Sequence, residues 1–250
     1  MPYYKHGNRR LYYALEGAGN PIAFVHGYLG TSQTHWGAQL ADSQLRSAFT
    51  LIAPDLRGFG RSGKKRWGES HTTEELLEDL RVLFLDHLKL TAMPVLVGYS
   101  VGAALSLEYA IRSPQDVAGL VLVSPRPFVR KGGRSYPFLS KEKRSTSQVR
   151  AKVWSLVKII QKRISERSIR RKIKYHPELL ARFRNVRAIP ALILFGKEDT
   201  VTPTIAFQSL RSLLPHAEVV EFPGDHGISH ENAKNFNRTL MDFCQRIGAK

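Results

Sequence analysis

Seven short runs of apolar, largely β-branched residues recur along the chain: Leu11–Leu15, Ile22–Val25, Leu51–Ala53, Val95–Gly98, Leu120–Ser124, Ala191–Phe195 and Val219–Phe222. Longer amphipathic stretches separate several of them, at Thr73–Leu88, Val101–Ile111, Thr204–Leu214 and Asn232–Arg246. In the first of these, Leu76, Leu77, Leu80, Leu83 and Phe84 follow the 3.6-residue period of one helix face. Thr72 or Thr73 supplies its N-cap, with acids in the first turn where the helix dipole favours them. Parallel neighbours need a crossover between them, so this alternation predicts βαβ units and a mostly parallel sheet covered on both faces. A chain of 250 residues, 42% hydrophobic, has the apolar surface to fill both covers.

Other classes fall away on composition. No apolar run approaches the roughly 20 residues of a membrane-spanning helix, and Met1-Pro2-Tyr3-Tyr4-Lys5-His6-Gly7 lacks the apolar core of a cleavable signal. The single cysteine, Cys244, leaves no intrachain disulfide and suits a reducing compartment, so a cytoplasmic location is expected. On the apolar side of the last helix it reads as core filler rather than as a nucleophile.

Charge divides the chain. There are 38 Lys and Arg against 21 Asp and Glu, a net of +17. The whole excess lies between Arg126 and Arg187, where 20 basic residues meet only Glu142, Glu166 and Glu178. Such a shift marks an inserted unit: a first core part over 1–125, a basic helical cap over 126–188 and a second core part over 189–250. From Val149 to Ile173 there is no Gly or Pro, and Val149, Val153, Leu156, Val157, Ile160 and Ile164 share one helix face. Arg150, Lys152, Lys158, Lys162, Arg163 and Arg167 fill most of the rest. Two readings stay open: a lid helix with solvated lysines, or a helix on a membrane surface or acidic partner.

The chemistry begins at Gly98-Tyr99-Ser100-Val101-Gly102, which follows the strand Val95-Leu96-Val97 and opens the helix at Ala103-Ala104-Leu105. A serine in so sharp a strand-to-helix turn needs small neighbours two residues away, which lets the chain segments approach. The turn lifts the hydroxyl above the sheet at a helix N-terminus, where amides favour negative charge. A serine hydroxyl needs a base to take its proton and an acid to orient that base. Of nine histidines, only His216, His226 and His230 lie where a late loop could fold back over the turn. His226, in Phe222-Pro223-Gly224-Asp225-His226-Gly227, follows the last strand and is the chosen base. Asp199, in Phe195-Gly196-Lys197-Glu198-Asp199-Thr200, follows another strand and is the chosen acid, with Asp225 and Glu198 as competitors.

A developing oxyanion needs two amide donors. Val101, after the nucleophile, supplies one, and Tyr28, in Phe24-Val25-His26-Gly27-Tyr28-Leu29-Gly30, supplies the other. His26, at a strand end, reads as a structural hydrogen bonder. Asp55-Leu56-Arg57-Gly58-Phe59-Gly60-Arg61-Ser62 lacks the full dinucleotide or P-loop pattern and reads as a turn that shapes the site. No His and acid pair has metal-ligand spacing, so neither metal nor cofactor is expected.

Together these pieces resemble the α/β-hydrolase superfamily. The landmarks are His26-Gly27 after the third strand, Asp55 to Ser62 after the fourth, the Gly98–Gly102 elbow, Asp199 and His226, in the family's order Ser…Asp…His. They run from about residue 10 to the C-terminus, excluding the basic segment. The resemblance implies an α/β-hydrolase fold with the cap inserted after strand six at Ser124. Asp225 stands where the family often has glycine before the histidine. Members that open epoxides or remove halides use an elbow aspartate, chemistry that Ser100 does not offer. Acyl transfer to water remains, on a carboxylic ester or thioester through an acyl-enzyme; lactone or carbon–carbon hydrolysis and a non-catalytic ligand sensor are the alternatives. The cap charge suits an anionic acyl carrier or coenzyme A thioester, with an anionic membrane as rival. Nucleic acid is not expected, because no nucleic-acid-binding module is present.

Overall fold

The computed structural model describes residues 2–63, 72–125, 182–202 and 204–248. The cap helix read at Val149–Ile173, and most of the 126–188 segment, lie outside the described residues.

Eight strands form one sheet: β1 Tyr3–His6, β2 Arg9–Gly17, β3 Asn20–Val25, β4 Phe49–Pro54, β5 Val95–Tyr99, β6 Gly119–Val123, β7 Ala191–Gly196 and β8 Glu218–Phe222. Their order is β1-β2-β4-β3-β5-β6-β7-β8. Pairing is antiparallel for β1 with β2 and β2 with β4, and parallel from β4 onward. The mostly parallel, doubly covered α/β sheet expected from the alternation is present. β1 escapes the apolar-run reading because its sequence, Tyr-Tyr-Lys-His, buries only Tyr4 and is held chiefly by its ladder to β2.

The helices are α1 Ser32–Leu40, α2 Ser43–Ala48, α3 Thr73–Arg81, α4 Val101–Arg112, α5 Thr204–Leu213, the single-turn α6 Ile228–Glu231 and α7 Ala233–Arg246. Side chains alternate across the sheet, as the two-residue period of a strand requires. Phe24, Val95, Val97, Val121 and Leu194 pack on one side with Trp36 of α1, Leu45 of α2, and Phe236, Leu240 and Phe243 of α7. Val25, Leu96, Leu120, Leu122 and Ile193 pack on the other with α3, α4 and α5. Cys244 is fully buried in the first of these layers, and burial pushes its thiol up to about 12.

α3 starts as expected, with Thr72 and Glu75 forming a reciprocal capping box, but passes at Val82–His87 into a π-helical turn. α1 and α2 have too few apolar residues for a visible period. Each is set by its cap instead: Thr31 with Thr34 for α1, and Asp42 accepting from the Gln44 and Leu45 amides for α2. At the end of the basic segment, Arg182 donates to both Glu108 carboxylate oxygens on α4, and Phe183 and Val186 are buried in the core beside α4.

A buried ion pair locks the turn after β4 to α3. The Arg57 and Asp79 side chains are 7% and 3% exposed, and Arg57 Nε and Nη2 donate to the two Asp79 oxygens at 2.7 and 2.6 Å. His6 of β1 reaches Asp79 Oδ1 at 2.6 Å through Nδ1. Asp79→Ala removes two hydrogen bonds from the buried guanidinium and leaves it the half-exposed Glu75 carboxylate, 2.8 Å from Nη1, so the fold should lose about 3 kcal/mol. Replacing both residues with apolar ones of similar volume should cost far less. Denaturant titration of the three variants checks this, and an Asp79→Ala midpoint equal to wild type would refute it.

Candidate active site

Ser100 sits between β5 and α4 at φ 54, ψ −109, a region that L-residues avoid and that surrounding structure must impose. Glycines make the turn possible. A Cβ at Gly98 would meet the Gly102 carbonyl and Ala103 backbone, and one at Gly102 would meet the Val25 and His26 carbonyls of the neighbouring strand. The Ser100 amide donates to the Val123 carbonyl at 2.8 Å, tying the turn to the end of β6. Val101 opens α4, so its amide is among the unpaired donors at that helix's N-terminus.

Asp199 and His226 meet across two loops. His226 Nδ1 lies 2.8 Å from Asp199 Oδ2, with the side chains 15% and 4% exposed. The other oxygen, Asp199 Oδ1, accepts from the Val201 and Thr202 amides, both at 2.8 Å. Burial works against the Asp199 charge, but the hydrogen bonds from His226, Thr202 and Val201 outweigh it and hold its pKa below the usual carboxylate value. An ionised carboxylate only accepts, so His226 carries its proton on Nδ1 and its Nε2 lone pair is the basic site.

The two competing acids do other work. Asp225 Oδ1 accepts from the Thr200 and His226 amides, at 3.1 and 2.8 Å. Glu198 Oε2 accepts from the Gly224 amide at 2.5 Å, and the Glu198 amide donates to the Gly224 carbonyl at 3.0 Å. Both therefore staple the β7 loop to the β8 loop. His216 is turned away, with Nε2 3.0 Å from the Ile189 carbonyl.

The His226 ring packs 5.1 Å, centroid to centroid, from Tyr99, the residue before Ser100. Ser124, just after β6, donates through Oγ to the His226 carbonyl at 2.9 Å. It is fully buried and held at φ 42. Adjacent residues at the end of β6 thus anchor the serine turn and the histidine loop. Thr202 adds its hydroxyl 3.4 Å from His226 Nδ1. Sequence reasoning missed Ser124, Thr202 and His35, because each matters only through contacts with distant parts of the chain.

The loops after β3 and β4 complete the rim. Asp55 accepts from the Ser32 amide at 2.7 Å and the Arg61 amide at 2.8 Å, bending the Asp55–Ser62 segment into the expected turn. Gly60 is needed there at φ 49, where a Cβ would collide with the Asp55 carboxylate. His26 is fully buried and structural: Nδ1 donates to the Gly27 carbonyl and Nε2 accepts from the Leu56 amide. Tyr28 is half exposed and stacks edge-on against Phe59 at 6.1 Å. Among the described residues, no group of three or more His, Cys, Asp or Glu could hold a metal ion, and no helix is long and apolar enough to cross a membrane.

An eight-stranded, mostly parallel sheet with a strained serine between strand and helix defines the α/β-hydrolase class. This chain belongs to that family, whose model, described as the alpha/beta hydrolase fold, matches residues 20–145. It is 35% identical over 121 residues to an uncharacterized protein of Mycobacterium tuberculosis, a stretch spanning 48% of this chain and 33% of that protein's length. It is 24% identical over 258 residues to the AB hydrolase superfamily protein YisY of Bacillus subtilis, covering 91% of this chain and 92% of YisY. Among solved structures, the enol-lactonase of Burkholderia xenovorans LB400 superposes with a TM-score of 0.69 at 19% identity, over 98% of this chain and 100% of that one.

Proposed function

We propose that this protein is a serine hydrolase that cleaves a carboxylic ester or thioester through an acyl-enzyme. The observation that carries the reading is the 2.8 Å contact of His226 Nδ1 with Asp199 Oδ2, on a ring packed against the turn that holds Ser100. In this reading His226 takes the Ser100 proton as Oγ attacks the acyl carbon. The Tyr28 and Val101 amides receive the oxyanion, and His226 returns the proton to the leaving group. Water, activated by the same histidine, then releases the acid and restores Ser100. The protein uses no cofactor in this scheme.

The +17 of the Arg126–Arg187 segment supports an anionic acyl carrier or coenzyme A thioester as the physiological substrate. One pair of measurements tests both levels. A short p-nitrophenyl ester should turn over, with kcat/KM nearly flat in salt. An anionic thioester should turn over with kcat/KM falling by roughly 10-fold or more between low and high salt, the scale of electrostatic steering. Charge reversal at Arg163, Arg167, Arg170 and Arg171 should reproduce the high-salt behaviour for the thioester alone. Equal salt slopes for the two substrates would remove the anionic-substrate reading, and absence of any ester or thioester turnover would remove the hydrolase reading.

A further inference from the structure

The turn after β3 carries backbone strain at Leu29. Leu29 lies in the left-handed region at φ 60, with its side chain 67% exposed. A leucine persists there only where neighbouring contacts fix the backbone. Three hydrogen bonds do so, and all of them end on Gly27. The Gly30 amide and His26 Nδ1 donate to its carbonyl, at 3.2 and 2.8 Å, and its own amide donates to His35 Nδ1 at 3.1 Å.

A backbone N–H can only donate, so His35 Nδ1 is an unprotonated acceptor and the neutral ring carries its proton on Nε2. The ring is seated for that task. It stands edge-on to Tyr99, beside Ser100, at 4.8 Å, and lies 6.3 Å from His26 and 5.8 Å from His230. A Cβ on Gly30 would overlap the imidazole, so this glycine is the space the ring occupies. Burial, with His26, His230 and His226 nearby, pushes the His35 pKa down to about 4, so the acceptor persists through neutral pH.

We propose that His35 is a positioning residue for oxyanion stabilisation: its Nδ1 holds the Gly27 amide and, with His26 on the Gly27 carbonyl, fixes the turn that aims the Tyr28 amide. The Gly27 carbonyl and the Tyr28 N–H belong to one planar trans peptide and point in opposite directions, so fixing the first fixes the second. The inference rests on the reading of Tyr28 as an oxyanion donor.

His35→Phe keeps a ring of similar size and removes the acceptor; His35→Asn places an amide oxygen near the Nδ1 position. For p-nitrophenyl acetate, His35→Phe should lower kcat by about 10–100-fold, less than the 10²–10³ of deleting a donor outright, with KM little changed. His35→Asn should recover most of the loss. Gly30→Ala, which pushes the ring off Gly27, should repeat it. Hydrogen exchange of the Gly27 amide reads the clamp without turnover: protection in wild type and His35→Asn, and at least about tenfold faster exchange in His35→Phe. A wild-type kcat in His35→Phe, an equal loss in His35→Asn, or unchanged Gly27 exchange would overturn the proposal. Should wild type hydrolyse no ester and Ser100 ignore a fluorophosphonate, the hydrolase reading fails instead, and the Gly27 exchange still decides whether His35 holds the turn.

Discussion

Ser100→Ala is expected to lower kcat for a short p-nitrophenyl ester by on the order of 10⁴–10⁶ and to abolish labelling by a fluorophosphonate. The size follows from what one oxygen does. In the proposed mechanism no acyl-enzyme forms without Oγ, so His226 would have no hydroxyl to deprotonate, and the amides at Tyr28 and Val101 would assist only direct attack by water. The probe reports the same atom by another route: Oγ attacks phosphorus, fluoride leaves, and the adduct remains on Ser100. The folded state should be nearly indifferent, because alanine inherits the same φ of 54 and its amide still donates a hydrogen bond to the Val123 carbonyl. Ser100→Gly separates strain from chemistry. It should be as inactive as Ser100→Ala yet relieve part of the roughly 1–3 kcal/mol that a non-glycine residue pays for such a backbone. Labelling at another residue, or an active alanine variant, would refute the assignment.

The parts of this molecule that were legible in the sequence are those whose signal is local. A strand, a glycine, a serine, a glycine and a helix lie within about a dozen residues, and Gly98 is demanded by backbone at Gly102 and Ala103 in the same turn, although Gly102 is demanded by the Val25 and His26 carbonyls across the sheet. The parallel strands β3, β5, β6 and β7 read clearly because both of their faces are largely buried, which makes them almost continuously apolar. β1 did not, because an edge strand held by its ladder need not be apolar, and α1 did not, because a capping box and one buried tryptophan leave little periodicity. At the site, Asp199 could be favoured over Asp225 and Glu198 from its strand end, but the reason it reaches the imidazole is not local. Asp225 and Glu198 are committed to amides on opposing loops, and that division of labour exists only after β7 and β8 pair. Ser124 and His35 show the same limit. One is an ordinary residue after a strand and the other an ordinary residue in a weak helix, until folding brings the His226 carbonyl and the Gly27 amide to them.

His226→Ala should approach the loss expected for Ser100→Ala, since a nucleophile without its base is as idle as a base without its nucleophile, whereas Asp199→Asn should cost roughly 10³–10⁴ in kcat. The difference lies in the proton inventory. Asparagine keeps an oxygen for the Val201 and Thr202 amides, so the β7 loop should hold its shape. Its NH₂ would then face His226 Nδ1, forcing that nitrogen to accept and placing the ring proton on Nε2, where a base needs a lone pair. Asp225→Asn makes a matched control. It too keeps an oxygen for the Thr200 and His226 amides, but it faces no ring nitrogen, so its loss should be small. Stability should separate the pair as well. The folded pKa of Asp199 is depressed, so its ionised form contributes stability that is complete above the ordinary carboxylate pKa of about 4 and is lost as pH falls through the folded value. Asp199→Asn should flatten that acid-side decline in a denaturation series, while wild type retains it. If Asp225→Asn proves crippling and Asp199→Asn silent, the orienting acid is Asp225, and the contact at 2.8 Å is a loop staple rather than part of the catalytic relay.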